Sequence, residues 1–259
     1  MKKLRSKTAL TIACFSLLSC TNTDNTKKEA VTEKTTCNDV TYSGLHGKIH
    51  TITKYTYTLK DNQTPDIIPQ DSSGLEKIEI FTFNEDGSAN SSESYDVKNN
   101  TRLLTVKTVA EEINGERQII NYDKDGNIIN RVLLGTINDS AYNTTIMDKN
   151  NKIQMRIFNK IKNCVFYSTT TDIYNSRTEV KESSITSNIS YDDNGNMILN
   201  EIQAYDENGN EVAGMKMKAM YEILETDKYK NPVKTIFTGS SPMEKNVSRN
   251  VEISKITYY

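Results

Sequence analysis

The chain has 259 residues, of which 36% are hydrophobic, with 14 tyrosines, no tryptophan and a formal net charge of −2. Its 32 basic and 34 acidic residues offer no clustered excess of Lys and Arg, and this argues against a nucleic-acid partner, which needs such clusters for phosphate.

Residues 1–19 open with Lys2, Lys3, Arg5 and Lys7, followed by an apolar run from Ala9 to Leu18. The run is shorter than the roughly 20 apolar residues a bilayer span requires, so it reads as a signal-peptide core. Leu17-Leu18-Ser19-Cys20 resembles the bacterial lipobox, which implies lipidation of Cys20 and a mature chain beginning there. The alternative is a plain secretory signal with a chance cysteine. Cleavage removes four positive charges and no negative ones, taking the net charge from −2 to −6. The lipid would hold the protein on a membrane. Residues 20–36 are rich in Thr, Lys, Asn and Glu, too polar to offset the entropy of ordering, and read as a flexible tether.

Residues 37–259 are long enough to bury a sizeable core. Cys37 and Cys164 remain beyond the anchor, and in an oxidising compartment such a pair is a candidate disulfide. Two unpaired thiols are the alternative. The rest of the chain alternates strands with turns. Residues 51–59 place Tyr55, Tyr57 and Leu59 on one face. Residues 152–158 set Ile153, Met155 and Ile157 against Lys152, Gln154 and Arg156, and residues 215–221 set Met215, Met217, Ala219 and Tyr221 against Lys216 and Lys218. A period of two rich in Thr, Ile, Val and Tyr marks strands with one buried face. The pattern predicts an all-β, extended and twisted antiparallel sheet of about 12 to 14 strands in consecutive hairpins, curled or partly closed.

Turn chemistry separates the strands. Asn114-Gly115 is a short hairpin signal. Tyr122-Asp123-Lys124-Asp125-Gly126-Asn127 returns as Tyr191 to Asn196 and as Tyr205 to Asn210, with looser copies at 83–87, 147–151 and 226–231 and another expected at Tyr95-Asp96. In Asp-x-x-Gly the aspartate accepts a hydrogen bond from the backbone two residues on, and the glycine takes the left-handed conformation of a type I turn with a bulge. Asp123, Gly126, Asp192, Gly195, Asp206 and Gly209 are therefore structural. A calcium loop would also need a bidentate Glu at its twelfth position. Val132 stands there in the first copy, and in the second, where Glu201 does, Ser190 is a poor first ligand.

The strings YDKDGN, YDDNGN and YDENGN resemble the YD repeats of Rhs-type and teneurin-type proteins, which implies strands of a curled antiparallel sheet joined by such turns. The ending, DKYKNPVKTIF followed by VEISKITYY, resembles that of many uncharacterised bacterial lipoproteins, with Lys230 where their turn has glycine. The likeness spans residues 76–259 and carries no catalytic residues.

No nucleophile elbow, phosphate-cradling loop or His-Glu-x-x-His is present. His46 and His50 are the only histidines, and four positions apart on a strand they stand about 13 Å from each other, too far to share a metal. Neither Glu111-Glu112 nor Asp192-Asp193 faces its neighbour. No cofactor or metal is expected. The functional expectation is a non-catalytic envelope lipoprotein, tethered through its N-terminal lipid, that binds an extended glycan or an envelope protein. A carrier of lipid or apolar ligand in a curled sheet, and a glycan hydrolase with an unrecognised carboxylate pair, remain as alternatives.

Overall fold

A computed structural model describes residues 37–59, 74–113, 116–138, 140–240 and 248–259. The signal peptide, Cys20, the tether and the Asn114-Gly115 turn lie outside these residues. A one-turn helix, α1 (Asp39–Tyr42), precedes β1 (Ile49–Thr58), β2 (Leu75–Phe83), β3 (Ala89–Lys98), β4 (Thr101–Ile113), β5 (Glu116–Tyr122), β6 (Ile128–Asn138) and β7 (Ala141–Asp148). There follow β8 (Ile153–Lys162), β9 (Val165–Tyr174), β10 (Lys181–Tyr191), β11 (Met197–Asp206), β12 (Glu211–Thr226), β13 (Pro232–Ser240) and β14 (Ser248–Tyr258).

Every strand pairs antiparallel with its sequence neighbours, and β1 pairs with β14 from Ile49↔Tyr258 to Thr58↔Asn250, so the sheet closes into a barrel. Closure removes both sheet edges and satisfies every strand's backbone. Consecutive hairpins alternate between the two ends. The connections β2–β3, β4–β5, β6–β7, β8–β9, β10–β11 and β12–β13 share one end with the start of β1 and the close of β14. We call this end the base and the other the mouth.

Five turns share one hydrogen-bond pattern. At Asp123, Asp148, Asp192, Asp206 and Asp227 the backbone amide donates to the carbonyl four residues on, and the carbonyl accepts from the amide three residues on. Oδ1 of each aspartate takes two further amides, from the second and fourth following residues. Gly126, Gly195 and Gly209 occupy the left-handed position at φ 80°, 84° and 81°, and Asn151 and Lys230 occupy it at 62° and 71°. Lys230 thus adopts the turn in spite of its Cβ. In the Tyr-Asp copies the closing asparagine donates its side-chain amide back to the aspartate, as Asn127 does to Asp123 and Asn210 to Asp206. That bond and the backbone amides hold the Asp123 and Asp206 carboxyls below their ordinary range. Tyr95-Asp96 is not a turn: it lies inside β3, and the chain reverses at Asn99-Asn100, both at positive φ.

Candidate ligand-binding lumen

A ring of 14 strands is on the order of 25 Å across, too wide for wall side chains alone to fill, since about eight strands is the size at which they do. The base is filled from within by residues 37–48. Tyr42 stacks on Phe166 with ring centroids 5.2 Å apart and lies 6.1 Å from Tyr142. Around them Val40, Ile49, Ile52, Phe83, Ile119 and Ile161 form one buried cluster drawn from walls on all sides. Because that cluster meets the plug, its register positions define the inward face of each strand.

The plug is tied to turns around the whole rim. Asn38 caps α1, accepting from the Thr41 amide, and donates to the Asp86 carbonyl in the β2–β3 turn. Cys37, the residue before it, is disulfide-bonded to Cys164 in the β8–β9 turn, with Cα atoms 5.2 Å apart. Adjacent plug residues therefore reach nearly opposite sides of the ring. Further along, Asn231 of the β12–β13 turn clamps the His46 backbone, accepting from its amide at 2.7 Å and donating to its carbonyl at 2.8 Å. Tyr258 donates to Asp227 and pairs with Asn231. Burial first, then that bond to Asp227, raises the Tyr258 phenol above its ordinary range. The closing asparagine of the turn motif thus has a second role at the base that local sequence does not reveal.

Asp39 is fully buried in the plug. Its Oδ2 accepts from the Ala89 amide at 2.6 Å and lies 3.8 Å from Arg117, whose guanidinium also donates to the Ala89 carbonyl. Desolvation dominates and pushes the carboxyl up from 3.8 to about 7, against the lowering effects of the Ala89 amide and Arg117. A folded-state value above the unfolded one means that the fold prefers the protonated form. This contribution is complete below pH ~4 and is lost as pH rises through ~7. Asp86, Asp123, Asp192, Asp206 and Asp227 are shifted the other way, and their contribution is lost as pH falls below the ordinary carboxylate range. Stability is expected to rise on acidification from pH 8 to pH 5 and to fall below pH ~4. Asp39→Asn keeps an acceptor for Ala89 and should flatten the upper limb, with a gain on the order of 2 kcal/mol at pH 8. Melting temperatures of both proteins across pH 4–9 check this; parallel curves would contradict it.

Above the plug the inward face opens. In β8, inward Asn159 and Ile161 are 1% and 6% exposed, whereas outward Arg156, Phe158, Lys160 and Lys162 are exposed. A belt of hydrogen-bonded side chains lines the inner wall next: Thr108 to Asn121 to Asn130, Thr169 to Asn159, and Ser187 to Asn200. Nearer the mouth, inward Leu103 and Met217 are each 46% exposed. Among the described residues the barrel is plugged at its base, and its inward face becomes more exposed toward the mouth.

No family model matches the chain, and no curated protein matches it. Among solved structures, the chain is similar to a porin-like protein from Bacteroides uniformis, with 8% identity and a TM-score of 0.43 over 83% of this chain and 100% of that one. Likeness at this level carries no argument, and the closed barrel rests on the strand register.

The outer wall bears on what surrounds the barrel. Outward Lys107, Arg156, Glu201, Lys216 and Lys218 are exposed along β4, β8, β11 and β12. In lipid, a basic residue at mid-depth costs about 2–4 kcal/mol, so this arc suits water. On β14, β1 and β2 the outward positions are instead Ile253, Tyr55, Tyr57, Ile78 and Ile80.

The expected site residues divide cleanly. Cys37 and Cys164 meet at the base, as do Asp192 and Gly195, where the Gly195 carbonyl touches Gly44. Asp123, Gly126, Asp206 and Gly209 stand apart from one another at the mouth. His46 and His50 do not converge: the His46 Nε2 meets the Asn194 carbonyl at 3.0 Å, while the His50 ring lies 4.8 Å from that of Tyr259. Among the described residues no group of three potential metal ligands is present. The tyrosines form no exposed row on the outer wall, since Tyr55, Tyr57, Tyr95 and Tyr122 are all half-buried. Sequence reasoning carried an enclosed space only as an alternative, a carrier in a curled sheet. Alternation shows that each strand has two faces, but not that one of them encloses a space.

Proposed function

We propose that this protein is a non-catalytic carrier that holds a small ligand with an apolar portion inside its barrel, tethered to a membrane of the bacterial envelope through a lipid on Cys20. The observation that carries the reading is the gradient of exposure along the inward face, from 0% at Ile49 to 46% at Met217. Ligand sites are concave, with apolar surface and convergent polar groups, and the inward face offers both: exposed Leu103 and Met217 near the mouth, and the belt of Thr, Asn and Ser side chains below them. This moves the expectation away from an open sheet binding an extended glycan or protein, which would want exposed aromatics on the outer wall. The lipobox-like N-terminus, together with the resemblance of the ending to bacterial lipoproteins, supports the envelope location.

Met217 and Met220 are 46% and 44% exposed on the same strand, yet they face the lumen and the outside respectively. With a neutral apolar fluorophore such as N-phenyl-1-naphthylamine, the full chain is expected to show saturable binding. Met217→Asp should weaken it by roughly tenfold, or ~1.4 kcal/mol, and Met220→Asp should leave it unchanged. Equal effects of the two variants, or no saturable binding by the wild type, would refute the carrier.

A further inference from the structure

We infer that the lumen, read as a ligand site as above, is built for an amphiphile with a zwitterionic head, and that two different sectors of its wall receive the two ends. The inner surface is divided around the ring. On β8 to β12 the inward positions Met155, Ile173, Ile185, Ile202 and Met217 make an apolar stripe that is continuous through the register pairs Met155↔Ile173 and Ile202↔Met217. None of these five is buried, so the stripe is surface that an acyl chain can cover.

Further round the ring, on β14, β1 and β2, the inner wall is charged. Lys54 pairs with Glu252 at 3.0 Å, Lys77 pairs with Glu79 at 2.6 Å, and Lys54 and Glu79 are direct cross-strand partners. The four side chains form a row of alternating sign, Glu252, Lys54, Glu79 and Lys77, which exposed Asp96, the cross-strand partner of Lys77, continues on β3. They sit above the plug, beyond the inward pair Ile52↔Phe81. At 34%, 32%, 18% and 27% exposed, they face the lumen rather than being packed away. A head with one anion and one cation a few bonds apart meets a partner for each without leaving a wall charge opposed. A singly anionic head would face Glu252 or Glu79 as a like charge, and a singly cationic head would face Lys54 or Lys77. The wall charges inside a partly enclosed space act with less screening than on an open surface.

The test is competition against the neutral fluorophore on the full chain, using three monomeric amphiphiles of equal chain length: a lysophosphatidylethanolamine, a fatty acid and an alkyltrimethylammonium. The zwitterion is expected to displace the fluorophore at a concentration at least tenfold below either of the others. The double variant Lys54→Gln/Glu252→Gln, which removes the charges as a pair, should abolish that preference and leave fluorophore binding intact. Equal displacement by all three, preference for a singly charged head, or a preference that survives in the double variant would each overturn the inference while leaving the carrier standing. Absence of fluorophore binding by the wild type would remove both.

Discussion

Cys164→Ser is expected to lower the stability of the barrel by roughly 2–5 kcal/mol, the range found when a native disulfide is removed. The bond spans 127 residues, and in the chain-entropy account closing a loop of that length restricts the unfolded chain by about 5 kcal/mol. In the folded state it fastens the residue before α1 to the β8–β9 turn, so its loss also frees the plug on the side opposite the Asn38–Asp86 contact. Denaturant unfolding with and without reductant checks this. Reductant should bring the wild-type midpoint down to that of the variant and leave the variant unmoved. Coincident midpoints for both proteins under oxidising conditions would mean that the plug holds without the bond.

The second large effect is expected at Gly44. It sits at φ +70°, and a Cβ there would meet the Gly195 backbone carbonyl oxygen at 2.4 Å. Backbone on the rim of a closed barrel cannot move aside as a flexible side chain can, so Gly44→Ala forces the plug out of place. Gly209 has nearly the same conformation, φ +81°, but nothing lies within 4 Å of the position of its Cβ. Gly209→Ala therefore isolates the backbone term, about 1 kcal/mol, whereas Gly44→Ala adds a clash and should total on the order of 3 kcal/mol or more. Thermal unfolding of the two variants measures the difference directly. Similar losses would show that the plug is not packed against the β10–β11 turn.

The turns show how far local chemistry reaches. Asp-x-x-Gly between strands was enough to place the reversals at Asp123, Asp192 and Asp206 and the left-handed residues at Gly126, Gly195 and Gly209, because all the hydrogen bonds involved lie within five residues. The same argument placed a turn at Tyr95-Asp96 wrongly. There the signal lacks its glycine, and the neighbouring Asn99-Asn100 takes the reversal. Lys230 shows the opposite case. The left-handed position survives the loss of glycine because Asp227 supplies the rest of the turn and Asn231 and Tyr258 hold it at the base.

The sequence by itself determined the all-β class, the alternation within β8 and β12, and the chemistry of the repeated turn, since each depends on residues a few positions apart. Only the tertiary structure decided that the sheet closes, that residues 37–48 plug one end, that Cys37 meets Cys164, and that Met217 faces a lumen while Met220 faces outward. Closure depends on pairing β1 with β14, from Ile49↔Tyr258 to Thr58↔Asn250, and a period-two pattern says nothing about so distant a partner. The plug has a single helical turn, too short to leave a periodicity, and its contacts are made one residue at a time with turns all around the rim. Which face of a strand is the inside is a property of the closed ring, and it exists only once the last strand has found the first.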